Sequence, residues 1–383
     1  MAAKRAKARD LTIPKPVNPE RRAACLSDVE LFLTSYFGSV FYEPFTDDRR
    51  EMMRDIVAAA MYGGDQSIAG PRGEGKTRLA LYVALFLMLS GLSRFPIVIG
   101  KSQSKAQNEL KTIKDKLQQS KDFRDDFPEI GYPFQAVGGW SSRGRMQTVA
   151  GEHTNIEIAA DHIIFPTIRG LPWGSVAQGQ IIACLGIDGP IRGTNYRDER
   201  PTIAIIDDME DREAAASDAI IEKNEEILEQ DIAGLGASSE RISRVMLCTI
   251  QNRKCIAYKY TDPAQKPSWR GKRFRKMIKP PDRMDLVEQY IELRKNRKDD
   301  DPDAREAFRL WKDNQDAIEA GAVISNPYSY SKKTHADGEP LELSAVHAYY
   351  NRVADVGAKA VATEIDNDPP EDVGPVGSGL TAE

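Results

Sequence analysis

The run Gly70-Pro71-Arg72-Gly73-Glu74-Gly75-Lys76-Thr77 constrains the fold of this chain more than any other segment. Its spacing, G-x-x-x-x-G-K-[ST], makes a loop whose backbone amides turn inward, an arrangement suited to phosphate oxygens. Such a loop needs a strand to feed it and a helix to leave it. Gln66 to Ala69 reads as that strand and Thr77 to Ser90 as that helix, with a second buried strand at Pro96 to Gly100. Strand, glycine loop, helix, strand is the opening of an α/β fold. The expected class is a P-loop NTPase of the RecA/ASCE-like kind. Its sheet should be mostly parallel and flanked by helices, with a mainly helical C-terminal subdomain.

The loop assigns roles to its own residues. Gly70, Gly73 and Gly75 let the backbone wrap, and Pro71 and Glu74 fill the variable positions. The helix that starts near Lys76 adds its positive end. Lys76 should reach the β- and γ-phosphates of ATP, and the Thr77 hydroxyl should ligate Mg²⁺. Arg72 is a candidate stabiliser of transition-state charge, the alternative being a bracing salt bridge with Glu74.

Thr202 to Ile206 is an apolar strand that ends in Asp207 and Asp208. A buried strand needs no acid at its end, whereas a phosphate site needs two: Asp207 for the Mg²⁺ shell and Asp208 to orient the attacking water. Glu210 is the rival for the second role. Arg192, on the glycine-flexed Ile191-Arg192-Gly193 loop, is either an arginine finger or a surface arginine. Thr249 ends the strand Arg244 to Cys248, where it serves as a γ-phosphate sensor or a plain strand cap. Phe41, Tyr42 and Phe45 lie upstream of the loop; core packing is favoured over a role beside the adenine ring.

The 383 residues carry a net charge of -5, so any grip on nucleic acid depends on a local basic patch. Lys101, Lys105, Lys111, Lys114 and Lys116 on the helix Ser102 to Gln119, and the stretch Trp269 to Lys279, are the candidates. Four scattered cysteines lack zinc or disulfide spacing and read as reduced core thiols. The apolar run Leu79 to Leu89 is too short to cross a bilayer. Four regions are expected: a basic tail and lead-in helix at 1–40, the ATPase core at 41–279, a helical subdomain at 280–365 and a disordered linker at 366–383. Helices are expected at Ser27 to Tyr36 and Glu213 to Ile232, and short β-type runs between Met146 and Leu185.

In order along the chain, the glycine loop, Ile191-Arg192-Gly193, Arg200-Pro201, Ile205-Ile206-Asp207-Asp208-Met209-Glu210 and Cys248-Thr249 resemble the ATPase domain of tailed-bacteriophage terminase large subunits. Trp269-Arg270-Gly271-Lys272-Arg273, Ala320 to Ser325, Gly357 to Ala360 and Glu364 to Pro369 resemble that family's later segments. The resemblance runs from about Phe41 to Pro370.

It implies a motor that uses ATP and Mg²⁺ to drive double-stranded DNA into a prohead. The expected partners are DNA without sequence preference, the portal protein, the small terminase subunit and further copies in a ring. No membrane is involved. The place of action is the cytoplasm of the infected bacterium, transiently on the prohead portal. Arg72, Lys76 and Thr77 match the Walker A residues, Asp207 the Walker B metal acid, and Asp208 the catalytic carboxylate, where many members have Glu. Thr249 matches the motif that couples hydrolysis to movement, and Arg192 lies where an arginine finger has been proposed. The family's nuclease domain is expected to be absent, since Asp368, Glu371 and Asp372 sit in a Pro/Gly-rich tail. A ring-type helicase and a nucleotide-dependent assembly module with little turnover are the competing readings.

Overall fold

The computed structural model describes residues 10–138, 144–237, 241–297 and 304–371. Its contacts divide the chain into two units. The first comprises Met1–Ile68, Gly73–Cys248 and Tyr260–Lys272; the second comprises Ala69–Arg72, Thr249–Lys259 and Arg273–Glu383.

The first unit is built on an eight-stranded sheet: β1 (Asp65–Ala69), β2 (Pro96–Gly100), β3 (Glu157–Ile158), β4 (His162–Ile164), β5 (Ile181–Gly186), β6 (Ile203–Asp207), β7 (Ser243–Cys248) and β8 (Trp269–Arg273). Their order is β8-β1-β7-β6-β2-β5-β4-β3. β7, β6, β2 and β5 run parallel to one another, and β4 and β3 close one edge antiparallel. Two of the short β-type runs expected between Met146 and Leu185 form this edge, and the third, β5, joins the parallel strands.

Parallel strands covered on both faces must be apolar throughout. Val245, Ile205, Val98 and Cys184 accordingly form one buried rung across four strands. Helix Lys76–Leu89 is buried almost all round, as its unbroken aliphatic run requires. No helix among the described residues is long and apolar enough to cross a membrane.

Two helix expectations change. The helix read from Ser27 to Tyr36 is present as Val29–Phe37, and a helix not anticipated, Pro19–Ser27, precedes it. Asp28 separates the two: its backbone is extended and its carboxylate accepts from the Leu31 amide, starting the second helix afresh. Glu213 to Ile232 resolves into a 3₁₀ turn at Ala214–Ala216, an α-helix at Asp218–Glu226 and a π-helical turn at Ile227–Ile232. Ser217 caps the α-helical part through its side chain.

The second unit packs helices Met284–Lys295, Arg305–Asp313, Gln315–Glu319, Ala345–Val356 and Ala358–Glu364 around Tyr290, Trp311, Val287 and Ile318. The segment read as linker from Asp366 is tied down as far as it is described. Asn367 is 1% exposed; its carbonyl oxygen accepts from the Ile250 amide at 2.9 Å, and its amide donates to Phe274 O at 2.9 Å. Asp366 accepts from the Lys276 and Met277 amides. These side chains bond backbone groups far along the chain, and that holds a Pro- and acid-rich segment in place. Residues 372–383, Asp372 among them, lie outside the described residues, as do the basic residues of 1–9.

A buried polar chain runs through this helical core. The Leu343 amide donates to His347 Nδ1 at 3.1 Å, which leaves the hydrogen on Nε2 to meet the Tyr290 oxygen at 2.9 Å. The Tyr290 hydroxyl then donates to Asn351. Burial, assisted by the Arg294 charge, pushes the His347 pKa down to about 3. The unfolded chain therefore takes up a proton near its ordinary value while the folded chain does not, so stability is lost as pH falls below about 6.5. Unfolding free energies of wild type and His347→Gln measured from pH 7 to 4 should diverge by the uptake of one proton. Parallel slopes would refute this.

Candidate nucleotide site

The loop leaves β1, and the acid pair ends β6, with β7 lying between those two strands in the sheet. Ligands of open α/β sheets gather beyond such carboxyl ends. In the loop, Gly73 has φ +92° and Gly75 +76°, a left-handed backbone that a side chain would strain. Gly75 stands at the N-cap of helix Lys76–Leu89, which has no side-chain cap, so the first amides of the helix carry no cap from its own sequence.

Within the first unit, the Thr77 hydroxyl donates to Asp207 Oδ2 at 2.6 Å. Lys76 is 6% exposed and Asp207 2%. The Asp207 neighbours in register are Leu247 and Gly100, and a β-carbon on Gly100 would meet nothing within 4 Å. Space is thus left on the β2 side of the acid. Asp207 Oδ1 is buried and has no hydrogen-bond partner among the described residues.

Burial, with the Asp208 charge adding to it, raises the Asp207 pKa to about 6; the Thr77 bond and the Lys105 and Lys76 charges act the other way. A buried carboxylate with an orphaned oxygen beside a hydroxyl is a donor set that fits a hard divalent cation such as Mg²⁺. Asp208 follows in the left-handed region at φ +43°, with its amide donating to Leu247 O at 2.9 Å. Sharp backbone geometry of this kind at a non-glycine residue is concentrated at functional positions. Glu210 lies two residues further on and is partly buried.

The remaining sequence candidates fall in varied surroundings. Gly70, Pro71 and Arg72 group with the second unit, where Arg72 meets Glu364 twice. Its guanidinium reaches Glu364 Oε2 at 3.1 Å, and its amide donates to Glu364 O at 3.1 Å. The bracing acid is thus Glu364 and not Glu74, which lies two residues from Arg72 in sequence. Thr249 is buried in the second unit. Arg192 pairs with Asp231 and Gln230 near the π-helical turn. Phe41 and Phe45 are buried and stacked on one another, while Tyr42 is 78% exposed.

Much of the candidate DNA-binding charge is engaged within the protein. Lys101 pairs with Asp211, Lys114 donates to Ala159 O, and Lys116 reaches Ser39 Oγ at 3.0 Å. Burial lowers the Lys114 pKa. Trp269 is buried, and Lys272 lies 2.7 Å from both Glu51 and Asp55. Arg275 pairs with Asp368, and Lys279 with Asp282. Lys105, Lys111 and Arg270 stay exposed.

One residue at the loop carries no motif signal. Arg49, in the first turn of helix Asp47–Tyr62, donates through Nε to Glu74 O at 3.0 Å. Its terminal nitrogen would stand 3.2 Å from a β-carbon on Gly75. Only tertiary packing brings it there.

No family model and no curated protein matches the chain. Among solved structures, the crystal structure of the HK97 bacteriophage large terminase is similar at 14% identity and a TM-score of 0.38. The match covers 72% of this chain and 50% of that one, so the chain spans about half the length of that structure. A superposition this loose fixes no residue correspondence.

Proposed function

We propose that this chain is the ATP-hydrolysing motor of viral DNA packaging, the ATPase part of a terminase large subunit. The observation that carries the ATPase reading is the 2.6 Å contact of Thr77 with Asp207 beside an orphaned buried oxygen. The packaging reading rests on the ordered set of motifs from the glycine loop to Glu364-Pro369.

On this reading the loop amides and Lys76 bind the triphosphate, and Thr77 and Asp207 hold Mg²⁺. When bound, the metal neutralises charge that develops on the transferred phosphoryl group. Asp208 orients the attacking water, with Glu210 as the alternative carboxylate. Arg72 and Arg192 are the arginines available to meet transition-state charge, each by leaving its present carboxylate partner. Thr249 passes the state of the nucleotide to the helical unit. The polymer moved is double-stranded DNA, gripped by its backbone and hence without sequence preference. Portal protein, small terminase subunit and further copies complete the machine in the host cytoplasm.

The test is ATP turnover by the purified chain with and without Mg²⁺, duplex DNA and portal-bearing proheads. Turnover should require Mg²⁺, rise with DNA of any sequence, and vanish in Lys76→Ala. ATP binding without turnover under every condition would favour an assembly module. Unwinding of a tailed duplex would favour a helicase.

A further inference from the structure

Arg49 is a half-buried cation without a countercharge. Its Nε is spent on the Glu74 carbonyl, and its guanidinium lies 6.0 Å from the Phe45 ring centroid. No carboxylate pairs with it among the described residues, although acids flank it: Asp47 is taken by Arg50, which also holds Glu30. A guanidinium has five donors in a fixed fork, so one carbonyl leaves most of them unused. Withdrawing such a charge from water is unfavourable unless an anion meets it.

The position of the charge indicates which anion. The terminal nitrogen lies against Gly75, at the N-terminus of the helix that begins with Lys76. The amides of this loop and the helix end already favour negative charge. A planar donor fork there suits a phosphate group, which accepts two parallel hydrogen bonds from arginine.

We propose that Arg49 is a phosphate-binding residue of the nucleotide site, supplying a second cation beside Lys76. It simultaneously sets the loop through the Glu74 carbonyl. This inference rests on the ATP reading above. It adds a contact from the helix upstream of the loop that the loop motif does not contain.

The experiment is calorimetric titration of the full chain with MgATP, MgADP and AMP, for wild type, Arg49→Ala, Arg49→Lys and Arg49→Gln. Loss of a charge-assisted contact should weaken MgATP binding in Arg49→Ala by about tenfold to a hundredfold. AMP binding should change little. The two conservative variants separate charge from bracing. Lys keeps the cation, whereas Gln keeps a neutral donor for the Glu74 carbonyl.

Lys restoring MgATP affinity well above Gln supports the proposal. Gln matching or exceeding Lys means that Arg49 only braces the loop, and overturns it. So does equal MgATP affinity in all four proteins. Should Arg49→Ala fail to fold, the comparison of Lys with Gln still decides. If wild type takes up no MgATP at all, the nucleotide reading itself falls, a result distinct from equal and measurable binding by every variant.

Discussion

Asp207→Asn should lower ATP turnover by about a thousandfold or more, a loss of roughly 4 kcal/mol of transition-state stabilisation. The same substitution should raise the melting midpoint of the nucleotide-free chain. Both effects follow from one carboxylate. It is almost fully buried, its Oδ1 has no partner among the described residues, and its pKa is raised by burial and by Asp208.

The folded state therefore holds a proton on Asp207 more tightly than the unfolded state does. As pH rises from about 4 to about 6 the unfolded carboxyl ionises first, and stability falls; above about 6 the full penalty is in force. Removing the charge should recover on the order of 3 kcal/mol at pH 8. Adding Mg²⁺ should stabilise wild type at pH 8, have less effect at pH 5, and leave the variant unmoved. Melting curves with Mg²⁺ or a chelator at the two pH values check this. A variant both inactive and less stable would show that Asp207 is a structural acid and that its activity loss is indirect.

Arg22→Ala should destabilise the first unit by about 3–5 kcal/mol, the usual result of stripping one partner from a buried ion pair. Arg22 joins Glu129 at 2.8 and 3.3 Å and donates to Asp126 O at 3.1 Å; the Glu129 side chain is fully buried. Burial already raises the Glu129 pKa against the opposing Arg22 charge, so without Arg22 this acid is left both buried and unpaired. A second leg, Asp126 with Arg21, Tyr36 and the Asn18 amide, fastens the same helix beside it.

Chemical denaturation should report the loss. The double variant Arg22→Met with Glu129→Met should recover most of it, because an apolar pair of similar volume avoids the desolvation that the ions suffer. A double variant no better than Arg22→Ala would mean that the helix is held by packing around Phe127 and not by charge.

These expectations separate what local sequence carries from what only folding discloses. The run from Asp65 to Gly100 was legible because its signals are all short-range: an apolar strand, a glycine spacing and an unbroken aliphatic helix. The Asp207-Asp208 pair was legible because acid at the end of an apolar strand breaks the local pattern. Arg49 at the loop was not, since an arginine in the first turn of a helix looks like any solvated charge. Glu364 as the partner of Arg72, 292 residues away along the chain, has no local trace either. The helix Pro19–Ser27 was missed because it opens on the last residue of a proline-punctuated stretch and carries few apolar residues to mark a face. The anchoring of Asp366 and Asn367 was missed because a Pro- and acid-rich segment has the composition of a linker, and composition does not record bonds to distant backbone.

The backward turn of the chain at Asp208 has a consequence for which acid can work there. Asp and Asn tolerate a left-handed backbone better than longer or branched residues, because a short polar side chain can bond locally. Asn at 208 keeps the twist and loses only the charge, while Ala loses both. Glu regains the charge on an extra methylene but gives up the conformational preference. Comparing the three would reveal whether the shorter acid was selected for its reach or for the bend beneath it.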